Sequence, residues 1–142
     1  MIRDRVLKLI RKHKTRDPFE LAETMGAILI QAPLKDGTRG FYSYYKRNGI
    51  ICIDENLTEN EARFVCAHEL GHFVLHRKEN AVFLKKTTFL NTNKYELQAN
   101  TFAGYLLISD DDLDDMKVLE YSLAQAAAYL GIPEEILRLR IK

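Results

Sequence analysis

Apolar positions recur with helical spacing near the start of the chain, where Ile2, Val6, Leu9, Ile10 and His13 form one stripe along an otherwise cationic segment. The stripe predicts an amphipathic helix over 3–14 that lays its apolar side on a core and leaves Lys and Arg in solvent. Asp17 before Pro18 is a cap followed by a first-turn residue, and Gly26 is a stop, so a second short helix is expected between them. The period then drops to that of strands. Segments 27–34, 41–47 and 50–54 are rich in β-branched and aromatic residues, and Asn48-Gly49 reads as a two-residue hairpin between the last two. Alternation puts Tyr42 and Tyr44 on one face of this hairpin and Phe41, Ser43 and Tyr45 on the other. The expected use of these aromatics is packing of a thin sheet; the alternative is a free edge that takes up an extended substrate.

Helical spacing returns over 58–76. Thr58 and Glu61 make a capping box, and Phe64, Val65, Ala67, Leu70, Val74 and Leu75 distribute apolar side chains around the helix, which predicts burial. Residues 77–93, with the run Lys85-Lys86-Thr87-Thr88 and three asparagines, read as a loop and a candidate cleft rim. A further buried helix is expected over 94–107, and Ser109 caps an acidic helix start over 110–115. Ser122 with Gln125 opens another helix closed by Gly131, and Pro133 opens the last. This final pair resembles a helix-turn-helix. Glu134 and Glu135 stand where a DNA reader would meet phosphates, however, so the pair is read as a packing hairpin with no direct nucleic-acid contact. The sum is an α+β fold: a small antiparallel sheet of about three strands, two long helices packed on it and a C-terminal helical hairpin.

The long buried helix carries His68-Glu69-Leu70-Gly71-His72. Histidines four apart lie on one helix face a turn from each other, close enough to grip one divalent cation. Glu69 sits roughly 100° round the helix from His68, poorly placed to bind the same ion but well placed to touch a water on its open side. This is the minimal zinc-hydrolase arrangement, with Zn2+ as the expected cofactor and another divalent metal as an alternative occupant. Gly71 inside a buried helix has a cost relative to alanine of roughly 1 kcal/mol, and it lets a second backbone approach the ligand turn.

A catalytic zinc takes three protein ligands and leaves one position open. Between Glu79 and Asp110 the chain offers Glu96 and no further His or Cys. Glu79 lies too far along the helix from His72, and Asp110 belongs to a solvated helix start. Glu96, Ala99, Asn100 and Ala103 share a helix face of small and polar groups suited to close contact with the Gly71 side. That contact would bring Glu96 to the ion and Asn100 within hydrogen-bonding range of a ligand. His76 is two turns beyond His68 and is read as a supporting or core histidine. His76, Tyr95 and Tyr105 are the candidates for stabilising an oxyanion, and spacing does not choose among them.

The run His68-Glu69-Leu70-Gly71-His72-Phe73-Val74-Leu75-His76, followed by Glu96-Leu97-Gln98-Ala99-Asn100-Thr101-Phe102-Ala103, resembles the ImmA/IrrE family of gluzincin-like metallopeptidases of bacteria and their mobile elements. The resemblance spans about 18–108. It implies metal ligands at His68, His72 and Glu96, a catalytic base at Glu69, and a protein substrate, namely a helix-turn-helix repressor inactivated by cleavage.

Composition narrows the remaining classes. At 142 residues and 46% hydrophobic content the chain fits one globular domain, 1–142. A net charge of +1 argues against a surface built for nucleic acid or acidic lipid, and no signal-peptide core or membrane-length apolar run occurs, so a cytoplasmic location is expected. Cys52 and Cys66 sit in apolar context and are expected to be buried thiols. The rival to a peptidase is a zinc-binding module that sequesters a repressor or binds DNA without cutting anything. Glu69 weighs against it, because a purely structural site has no use for an acid beside the open position.

Overall fold

The computed structural model describes residues 1–79 and 89–142. The chain runs α1 (Ile2–His13), α2 (Pro18–Thr24), β1 (Ile28–Ala32), β2 (Gly40–Tyr45), β3 (Asn48–Asp54), α3 (Glu59–Leu75), α4 (Phe89–Leu107), α5 (Asp110–Val118), α6 (Leu123–Leu130) and α7 (Glu134–Ile141). The fold is α+β. Helix starts follow their capping chemistry: Asp17 accepts from the Phe19 amide, and Thr58, Ser109 and Ser122 each close a capping box. Helix α4 begins at Phe89, so the loop expected over 77–93 ends earlier than its polar composition implied. Residues 80–88 of that expected cleft rim lie outside the described residues.

The three strands form a mixed sheet and not an antiparallel one. Their order is β1-β3-β2, with β1 parallel to β3 and β2 antiparallel to it. The reason is burial. Ile51 and Ile53 are fully enclosed and Cys52 nearly so, and a strand apolar on both faces is best satisfied between two neighbours. Segment 33–39 therefore carries the chain past the end of β3, to the far edge.

The hairpin turn also differs from expectation. Tyr45 pairs with Asn48, so the turn residues are Lys46 and Arg47, both at positive φ (48° and 66°), and Asn48-Gly49 lies inside β3. Left-handed backbone at two non-glycine residues costs roughly 1–2 kcal/mol each. Packing at Gly49 offsets it, because a Cβ there would collide with the Phe73 ring and stand 3.1 Å from the Tyr42 hydroxyl. Gly49 is thus needed where α3 presses on the sheet. The two registers differ by an even slip, which leaves every side chain on its face, so alternation alone could not separate them.

Helix α3 lies between the inner sheet face and α4. Leu70, Cys66 and Ala67 are fully buried, as are Phe102, Ala103 and Leu106 of α4. The helices come close at Gly71, where a Cβ would stand 3.1 Å from Ala99 Cα and 3.2 Å from both Ala99 O and Phe102 Cβ. Helix α1 buries Val6 in the same core. Beyond it, Arg16 donates to the carbonyls of Tyr105 and Leu106, satisfying the open end of α4. The C-terminal pair packs as expected: α7 buries Ile136, Leu137 and Arg140, and Arg140 donates to Ile108 O and Asp110. Among the described residues no helix is long and apolar enough to cross a membrane.

Because backbone atoms of α4 face Gly71, no side-chain rotation relieves an added methyl. Gly71→Ala is expected to lower unfolding free energy by about 1–3 kcal/mol through separation of α3 and α4. Urea denaturation followed by circular dichroism measures this, and an unchanged midpoint would refute the tight contact.

Candidate metal centre

His68 and His72, one turn apart on α3, direct their Nε2 atoms at the same carboxylate. Glu96 Oε2 lies 3.1 Å from His68 Nε2, and Glu96 Oε1 lies 2.8 Å from His72 Nε2. The two rings stand 4.9 Å apart between centroids, with planes at 87°, so neither covers the other's lone pair. The outer nitrogens are held as well. Asn100 Oδ1 is 2.7 Å from His68 Nδ1; His76 Nδ1 is 3.2 Å from His72 Nδ1, and Gln98 Oε1 is 2.6 Å from His76 Nε2.

Glu69 projects towards β2 and is buried, 7% exposed. His68, Glu69 and His72 each bring a donor atom within 4.8 Å of the others. Beside them opens a cavity of about 250 Å³ lined by Arg39, Gly40, Phe64, Asn100 and Glu135, among others. Gly40 lines it where β2 packs closely on α3. A Cβ there would collide with Val65 and stand 2.9 Å from Cys52 O, so only a bare backbone lets the start of β2 lie this close to Glu69.

Charge at the site follows from this packing. Burial opposes a charge on His68, but the Glu96 hydrogen bond and the Glu69 and Glu96 carboxylates outweigh it and hold its pKa above the ordinary value. Burial likewise opposes ionisation of Glu96, yet hydrogen bonds from His68 and His72 outweigh it and hold that carboxyl well below the usual carboxylate range. Burial pushes the His76 imidazole down and the Tyr42 hydroxyl up to about 12. Tyr42 therefore stays protonated; it donates to Arg77 O and walls one side of His72, with ring centroids 6.5 Å apart.

The donor set suits a divalent ion. Three ligands at about 2.0–2.2 Å from a tetrahedral zinc stand roughly 3.4 Å from one another, and the carboxylate–imidazole separations of 2.8 and 3.1 Å fall a little short of that spacing. Two imidazoles and a carboxylate are also the ligand types that zinc takes in hydrolytic sites.

Of the other expected residues, His76 and Asn100 lie against the histidine pair, and Tyr95 packs edge-on to His76 with centroids 4.2 Å apart. Tyr105 is not brought there. It lies beneath the Arg140 guanidinium, 4.7 Å from it, because nine further residues carry it around and along α4 to the C-terminal helices. Sequence reasoning missed Gln98 and Gly40. Gln98 is two positions from Glu96 on a helix, which periodicity assigns to another face; His76 reaches it because α3 ends there, with a non-helical backbone at His76. Both cysteines are buried free thiols, as expected, and burial raises the pKa of each.

Comparison with known proteins adds to this geometry. The model of the IrrE N-terminal-like domain, a peptidase family, matches residues 22–142. The chain belongs to this family. It is 41% identical over 140 residues to an uncharacterized immunity region protein 2 of Bacillus phage phi105, covering 99% of this chain and 89% of that one. It is 29% identical to metallopeptidase ImmA of Bacillus subtilis (strain 168) over 93% of this chain and 79% of that protein. Among solved structures, a Mycobacterium tuberculosis transcriptional regulator superposes with a TM-score of 0.66 at 16% identity, which is a likeness of fold. The match covers 99% of this chain but spans about half of the regulator, 46%. A metallopeptidase family and a histidine-carboxylate cluster able to hold a metal thus coincide in one chain.

The two shifts fix a pH window for the metal-free protein. Glu96, lowered from 4.5, stabilises the fold above that pH and loses its contribution as pH falls through the folded value. His68, raised from 6.5, stabilises below that pH and loses its contribution as pH rises through the folded value. In excess chelator, the melting temperature of wild type relative to Glu96→Gln is therefore expected to peak across that interval and to shrink on either side. A difference that is flat from acid to alkaline pH would contradict it.

Proposed function

We propose that the chain is a zinc-dependent, site-specific endopeptidase that cleaves a helix-turn-helix repressor of a phage or mobile element, acting in the cytoplasm. The observation that carries this reading is the meeting of Glu96 with both Nε2 atoms, beside a buried Glu69 that borders a cavity. His68, His72 and Glu96 would hold the ion. A bound zinc would polarise the scissile carbonyl and acidify the attacking water.

The rest falls to the chain's own side chains. Glu69 takes the proton of the attacking water and passes it to the leaving amine. Its placement suits this, since a carboxylate oxygen lies within 4.8 Å of a nitrogen of each imidazole and borders the cavity beside the start of β2. β2 is an edge strand of the sheet, so an extended substrate segment has backbone groups to pair with next to the cavity. His76 has both ring nitrogens engaged, by His72 and Gln98, so Tyr95, packed against it beyond His72, is the remaining candidate near the site for steadying an oxyanion.

The substrate class rests on the family resemblance and is supported by the relatives, one a metallopeptidase and one from a phage immunity region. A small cavity favours selectivity through docking of a folded partner over general digestion.

Glu69→Gln is expected to abolish cleavage of a co-encoded repressor while zinc content and melting temperature stay near wild type. Intact-mass measurement of the co-incubated pair reads the fragments. An uncut repressor in tight complex with the wild type would favour a sequestering module, and zinc lost with activity would make Glu69 a ligand. Separately, Glu96→Ala is expected to weaken zinc binding by at least tenfold in chelator competition, while Glu79→Ala and Asp110→Ala leave it unchanged. Wild-type affinity in Glu96→Ala would place the third ligand elsewhere.

A further inference from the structure

We propose that Gln98, acting through His76, sets which nitrogen of His72 carries the proton and so leaves Nε2 free for the metal ion, which makes it a positioning residue for a ligand it does not touch. The inference rests on the metal-site reading above. It starts from three side chains in series: Gln98 Oε1 is 2.6 Å from His76 Nε2, and His76 Nδ1 is 3.2 Å from His72 Nδ1.

Such a chain has two proton orders. If Gln98 presents its carbonyl, His76 Nε2 donates to it, which leaves His76 Nδ1 as an acceptor. His72 Nδ1 then donates to His76, and His72 Nε2 carries a free lone pair for the ion. If Gln98 presents its amide nitrogen, every step reverses: His76 Nδ1 donates to His72 Nδ1, the remaining proton of a neutral His72 sits on Nε2, and that nitrogen cannot bind metal. Only the first order is compatible with His72 as a ligand. The choice is therefore made at Gln98, two imidazoles away from the ion.

His76 is suited to transmit it. It is 4% exposed, as is His72, so water does not compete for the nitrogens between them, and the Tyr95 ring packs edge-on against the imidazole. His68 is served more directly: Asn100 Oδ1, 2.7 Å from His68 Nδ1, enforces the same tautomer in one step. Helix α4 thus supplies a ligand, Glu96, and the acceptor for each histidine, Gln98 and Asn100, on either side of the Ala99 contact with Gly71.

The test compares Gln98→Glu, which keeps an acceptor and cannot donate, with Gln98→Leu, which keeps bulk and loses both. Zinc affinity by chelator competition is expected to stay at or above wild type in Gln98→Glu and to fall by about ten- to a hundredfold in Gln98→Leu. Long-range proton–nitrogen spectra of the zinc-loaded wild type are expected to show His72 protonated at Nδ1 and His76 at Nε2. Melting of both variants in chelator checks that the fold is intact. Zinc held by Gln98→Leu as tightly as by wild type, or His76 protonated at Nδ1 in the loaded protein, overturns the proposal. Wild-type protein that takes up no zinc overturns instead the metal-site reading on which it stands.

Discussion

The contact between Gly71 and Ala99 is the constraint on which the site depends. Two helices meeting backbone to backbone admit no intervening side chain, and this closeness lets a glutamate on α4 reach two imidazoles on α3 at 2.8 and 3.1 Å. Because Glu96, Gln98 and Asn100 all belong to α4, one register between two helices orders the carboxylate and both outer hydrogen bonds together. A slip of one residue along α4 would rotate this set by roughly 100° and remove all three at once.

Burial raises the stakes of that register. Glu69, His72 and His76 are buried polar groups on the core-facing later half of α3 and at its end, and polar groups without partners there would each cost on the order of 1–3 kcal/mol. His72 and His76 meet this cost by bonding to each other and outward to Glu96 and Gln98. No buried side-chain nitrogen or oxygen among the described residues lacks a hydrogen-bond partner. A network closed in this way specifies geometry as well as stability, because a displaced member leaves its neighbours unsatisfied.

The sheet completes the site from the other side. Its inner face, with Tyr42, Ile51 and Ile53, carries α3, while Ile28, Ile30, Phe41 and Tyr45 remain exposed. Two glycines set the distance between helix and sheet: Gly49 admits the Phe73 ring, and Gly40, which lines the cavity next to Glu69, admits Val65. The aromatic alternation of β2 is thereby put to use, with Tyr42 turned inward against His72 and Phe41 turned out.

Sequence by itself determined what depends on neighbours within a few residues. Capping residues located the starts of α3, α5 and α6, the spacing of His68 and His72 put two imidazoles on one helix face, and the small polar face from Glu96 to Ala103 marked the side of α4 that can come close. The scarcity of acids between Glu79 and Asp110 singled out Glu96 before any contact was visible. Tertiary structure decided what depends on distant segments. The place of β3 between β1 and β2 follows from burial on both faces, which strand composition does not order; the hairpin turn at Lys46-Arg47 follows from the packing of Phe73 on Gly49, against the local turn preference. Gln98 reaches His76 only because α3 ends at that residue, and Tyr105 leaves the site because α4 carries it around and along to Arg140. Local chemistry is written in residue spacing, whereas the partner of a buried group is chosen by whichever distant surface fills the space beside it.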